Sequence, residues 1–102
     1  MSQVEATGAK FTGARLADCE MASANFQRAV FKGADMARVR ASGSRFEECD
    51  FRGADMNVGV FQKCNFRRAC FTRANIDHAK LQYADLRGAD LRGCNLVQVR
   101  TS

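Results

Sequence analysis

The chain contains no proline, no tryptophan, one histidine, one tyrosine and no long apolar run. With one histidine and scattered carboxylates, it lacks the usual partners for acid–base or nucleophilic catalysis, so an enzyme is not expected. No apolar stretch approaches the roughly 18 residues of a membrane span. Met1-Ser2-Gln3-Val4-Glu5 has neither the basic start nor the apolar stretch of a secretory leader. The five cysteines, Cys19, Cys49, Cys64, Cys70 and Cys94, are odd in number and form no CxxC pair. They read as free thiols in a reducing compartment, hence a cytoplasmic setting. Neither GxxxxGK[ST] nor GxGxxG is present, and no cofactor is implied. At 102 residues, 46% hydrophobic and net charge +5, the chain is too apolar to be disordered and reads as one domain, 1–102.

What the sequence does contain is a period. Every fifth residue from Phe11 to Leu96 gives 18 positions that hold all 8 Phe, all the Leu, the one Ile and three of the four Met. Ala41 is the single exception. Two residues before each large position sits a small one, as at Ala9, Ala14, Cys19, Ala24, Ala84 and Cys94. Between them Asp or Asn recurs at Asn25, Asp35, Asp50, Asp55, Asn65, Asn75, Asp85, Asp90 and Asn95. Seven of the 8 glycines share one register, two residues after the slot that the large residues occupy.

No standard element has this period. On an α-helix a step of five advances about 140°, so the large residues would spiral; on a strand an odd step alternates faces. The pattern requires a backbone that turns a corner every five residues and returns the same two side chains inward, with Gly supplying the positive φ of a type II turn. Assigned cyclically to four faces, seven of the 8 Phe fall on faces one (Phe11, Phe31, Phe51, Phe71, Leu91) and four (Phe26, Phe46, Phe66, Leu86). Face two carries Leu16, Met36, Met56, Ile76 and Leu96, and face three Met21, Ala41, Phe61 and Leu81. That segregation is a period of 20, which argues for four pieces per coil.

Segments such as Ala84-Asp85-Leu86-Arg87-Gly88-Ala89-Asp90-Leu91-Arg92-Gly93 resemble the A(D/N)LxG units of pentapeptide-repeat proteins. The resemblance runs from about Val4 to Arg100. It implies an all-β fold, a right-handed quadrilateral β-helix of about five coils of 20 residues. Some relatives act as DNA mimics that protect a type II topoisomerase, a role disfavoured here by the charge of +5. Others are appended domains of secreted effectors or secretion-system accessory proteins. No polar cap flanks the repeats, so caps or partners are expected at the coil ends.

Within this frame Cys19, Cys49, Cys64 and Cys94 take the small inward slot as slightly larger alanines. They lie on four faces, where no four-thiolate metal site is possible. Cys70 takes the outward Asp/Asn slot between Asp50 and Asp90, where carboxylate neighbours make a poor nucleophile of it. Ala41 beside Val39, and Phe61 beside Gly59, predict an exchange of volume between the two inward positions.

Two surfaces stand out. Arg52, Arg67, Arg68, Arg73, Arg87 and Arg92 cluster on faces four and one, a candidate surface for phosphates or an acidic partner. Asp50, Asp85 and Asp90 stand among them and no aromatic is interleaved there, which disfavours nucleic acid. Val58 and Val60 put an apolar edge at the corner of faces two and three. Beside it run Ala17, Ala37, Asn57 and Val97, a candidate protein-contact surface. The reading is a non-enzymatic bacterial scaffold module, with no membrane contact. It would bind a protein partner, or itself through the coil ends or faces two and three.

Overall fold

The structure, a computed structural model, describes residues 5–101; Val4, where the repeat register begins, lies outside the described residues. Every bridge between neighbouring coils is parallel and joins residue i to residue i+20, from Glu5 with Asn25 to Lys80 with Arg100. Four pentapeptides therefore close one coil, as the distribution of Phe predicted.

Most corners are turns closed by the N–H of the fourth residue donating to the C=O of the first, as from Ala54 to Phe51 at 3.0 Å; at Met21–Ala24 the Ala24 N–H donates to Ser44 Oγ instead. The third residue has positive φ at every corner from Gly8 to Gln98, the type II requirement. Seven of these residues are glycines, but twelve are not, among them Val58 (φ 62°), His78 (φ 60°) and Tyr83 (φ 64°). A side chain in this region costs about 1 kcal/mol or more. The ladder imposes it regardless, because hydrogen bonds to the coils above and below fix both arms of the corner: Phe51 N donates to Cys70 O at 2.8 Å and Asp50 N to Ala29 O at 3.1 Å.

In an interior repeat the ladder and the turn together use every peptide N–H except that of the second turn residue. The Asp/Asn column supplies its acceptor. Asn25, Asp35, Asp50, Asp55, Asn65, Asn75, Asp85 and Asp90 each accept from the N–H two residues on, at 3.0–3.2 Å. This Asx-type closure explains why that slot prefers a short polar acceptor.

Inside, the rings of Phe11, Phe31, Phe51 and Phe71 stack on face one with centroids 5.0–5.1 Å apart. Phe26, Phe46 and Phe66 stack on face four at 5.2–5.3 Å. The two columns meet edge to face, as Phe31 and Phe46 do at 6.0 Å and 69°, an arrangement favoured by the ring quadrupole.

The small inward slot has its own pattern. The thiols of Cys49 and Cys64 and the hydroxyl of Ser44 donate to the carbonyls of Phe26, Ala41 and Met21 in the coil before. Burial pushes the Cys49 and Cys64 thiols up to about 12, so both stay protonated at neutral pH.

The exchange of volume is borne out where it was expected. A Cβ added at Gly59 would come within 2.3 Å of Phe61 Cε2. Directly below, Val39 and Ala41 reverse the sizes, and both are wholly buried.

Candidate functional site

Among the described residues no group of three or more His, Cys, Asp or Glu side chains comes together to hold a metal ion. His78 stands exposed at the corner of faces two and three. The candidate sites are therefore surfaces.

The arginine surface divides in two. Arg52, Arg87 and Arg92 each fold back on the Asp two residues before, with Nε and Nη2 donating to the two carboxylate oxygens at 2.7–2.9 Å. The Asp-x-Arg spacing produces this clamp, because residues two apart flank one inward side chain and emerge on the same outer wall. Arg67 joins Asp85 at 3.1 Å, and Arg68 lies 3.9 Å from Glu48. Hydrogen bonds from Arg87 hold the Asp85 carboxyl well below the usual carboxylate range, and those from Arg92 bring Asp90 to about 2. Five of the six arginines thus have carboxylate partners; Arg73 makes no ion pair among the described residues. The carboxylates that the sequence placed among these arginines are bonded to them, and most of this wall consists of ion pairs.

Two grooves run over this wall. One, of about 450 Å³ on face four, is lined by Glu47, Glu48, Arg67, Arg68, Arg87 and Gly88. The other, of about 260 Å³ on face one, is lined by Lys32, Arg52, Gly53, Thr72 and Arg73, with no carboxylate.

At the corner of faces two and three Val58 is 44% exposed, and Val60 is half-buried between Arg40 and Lys80. Ala17 and Asn57 are also half-buried, and Val97 is exposed. Ala37 does not belong to this surface. It is 7% exposed, because its single methyl is recessed in a column where Asn57 O accepts from the adjacent Arg38 N and Ala17 lies in the coil below. Tyr83, 85% exposed, was missed by sequence reasoning. Its signal was the turn position, which points every side chain outward.

The pentapeptide repeats family matches twice, over residues 6–55 (9 copies) and 69–100 (8 copies). The chain is a pentapeptide-repeat protein. Its fold is the right-handed quadrilateral β-helix of that family. It is similar to a pentapeptide-repeat protein from the Arabidopsis thaliana thylakoid lumen, with TM-score 0.83 and 24% identity over 88% of this chain and 63% of that one. The chain thus spans less than two thirds of that relative. A pentapeptide-repeat protein from the cyanobacterium Cyanothece 51142 superposes with TM-score 0.68 and 19% identity, covering 96% of this chain and 87% of its own. One from Nostoc PCC 7120 gives TM-score 0.52 at 24% identity, covering 94% and 79%. At these identities the likeness is one of fold alone. No curated protein sequence matches the chain.

Proposed function

We propose that this pentapeptide-repeat protein is a non-enzymatic interaction module, which offers flat walls and the Val58 corner to a protein partner in a bacterial cytoplasm. The observation that carries this reading is Val58 itself. A β-branched residue is held at φ 62° while 44% exposed, so it bears backbone strain without the return of burial. With the half-buried Val60 it gives this corner an apolar edge, where most turns carry glycine or a polar side chain. Val60 and Asn57 extend the patch on the same corner, and a second copy of the chain is an alternative occupant.

A DNA mimic needs rows of available carboxylates. On faces one and four Asp50, Asp85 and Asp90 are instead spent on guanidinium pairs.

The test is capture from nuclease-treated bacterial lysate with the wild-type chain and with a Val58→Glu, Val60→Glu variant, each also weighed by light scattering. A stoichiometric protein, or a dimer, that is present with the wild type and lost with the folded variant supports the reading. Retention of the same partner by the variant rejects this corner as the interface.

A further inference from the structure

The face-one groove differs from the rest of the arginine surface in a way that points to a ligand. Along this column the outward slot holds Asp50 and Asp90, and each carboxylate clamps its own arginine. In the coils between and below, the slot holds Cys70 and Val30. The cations there, Arg73 and Lys32, make no ion pair among the described residues. These two, with Arg52, line one groove of about 260 Å³ whose other walls are Thr72 and Gly53.

We propose that this groove is a binding site for a phosphate group. Lys32 would supply a compact point charge, Arg73 a planar fork of donors, and Thr72 a hydroxyl at the wall, the combination that recognises a tetrahedral dianion. Arg52 enters pre-oriented: its Nε and Nη2 are occupied by Asp50, and its Nη1 is left without a partner in that clamp. A Cβ built on Gly53 would meet nothing within 4 Å, so the floor is open to an approaching ligand. Asp50 is the one carboxylate beside these three cations and it is committed to Arg52, so the groove keeps an excess of positive charge that a bound dianion offsets. The volume is several times the roughly 30 Å³ of a water molecule, leaving space for the group that carries the phosphate. This site lies on face one and is independent of the Val58 corner.

The carrier is a small phosphomonoester or a phosphorylated side chain, and one titration separates them. Amide shifts of Gly53, Thr72 and Arg73 would be followed by NMR at constant ionic strength, with inorganic phosphate, then phosphoserine, then a phosphoserine peptide of neutral flanks. The proposal expects saturable shifts confined to this groove. It also expects a loss of about tenfold in affinity for each of Lys32→Gln and Arg73→Gln, with no change for Arg87→Gln on face four. Tighter binding of the peptide than of phosphoserine assigns the site to a phosphorylated protein, and equal binding assigns it to a free phosphomonoester. Non-saturating shifts, shifts spread over all the arginines, or affinities indifferent to Lys32→Gln and Arg73→Gln would overturn it. The variants change exposed side chains, and circular dichroism checks that they remain folded.

Discussion

The two grooves on faces four and one are built from the same repeat and both lined by arginine, yet they differ in available charge. On face four, Glu47 and Glu48 share the groove with Arg67, Arg68 and Arg87, and Arg87 is also clamped by Asp85. On face one the lining is Lys32, Arg52 and Arg73 without an acid. The number of arginines on a wall therefore says little about its field. An Asp two places before an arginine accepts the turn's spare N–H and then captures the guanidinium; Val30, two places before Lys32, has no carboxylate to do so, and Arg73 stands one residue beyond the clamp position, which Thr72 fills after Cys70.

The largest effect comes from breaking the frame on which both grooves stand. Phe51 lies wholly buried between Phe31 and Phe71. Phe51→Ala should destabilise the fold by about 3–5 kcal/mol, as measured by chemical denaturation. A loss below about 1 kcal/mol would mean that the stacked columns do not carry the stability assigned to them.

Next, face one can be turned into its neighbour. Cys70→Asp with Thr72→Arg copies the clamps of the coils on either side, and the phosphate response of the groove should fall by about tenfold. The converse, Asp85→Asn with Asp90→Asn, releases Arg87, Arg67 and Arg92. This variant should leave a cation-exchange column at clearly higher salt than the net-charge gain alone gives in a variant with two distant Asp→Asn changes.

Acid should act on the clamped surface. The carboxyls of Asp50, Asp85 and Asp90 are all lowered by hydrogen bonds from their arginines. A carboxyl depressed in the folded state contributes stability above its unfolded value, near 3.8, and loses it as pH falls through its folded value. Thermal stability should thus hold at pH 5 and decline between about pH 4 and about pH 2. The Asp85→Asn, Asp90→Asn variant should show a shallower decline. A decline of the same depth in that variant would place the acid sensitivity elsewhere.

The smallest effect concerns the strained corner. Val58→Gly should raise stability by about 1 kcal/mol by relieving the left-handed strain, partly offset by a more flexible unfolded chain. A fall in melting temperature would show that the Val58 side chain is worth more to the fold than its strain.

Much of this architecture was legible in the sequence, because large residues at a period of five with Phe segregated at 20 admit few other backbones. The paired substitutions at Val39–Ala41 and Gly59–Phe61 were readable as well, since volume must balance within a coil. The Asp-x-Arg clamps were spelled out at Asp50-Phe51-Arg52, but a count of charges by face conceals them. Their recognition needs the knowledge that residues two apart share one wall. Lys32 went unnoticed because its relevance depends on Arg73, two coils away. The burial of Ala37 and the left-handed turns at Arg38 or Glu48 were not visible either. Both are imposed by neighbouring coils, through crowding in one case and the hydrogen-bond ladder in the other.

The spacing of the bridges at 20 residues has a consequence for how such a chain can change in length. Adding a whole coil lengthens the rod and leaves every downstream side chain on its original wall. Adding a single pentapeptide also preserves each local turn, but it rotates everything after it by a quarter of a revolution. Inserted after Gly53, it would carry Thr72 and Arg73 onto the next wall and separate them from Lys32 and Arg52, dismantling the groove while the fold itself continued. Insertions in this protein therefore act as a dial: multiples of four repeats are silent, and any other number re-addresses the surface.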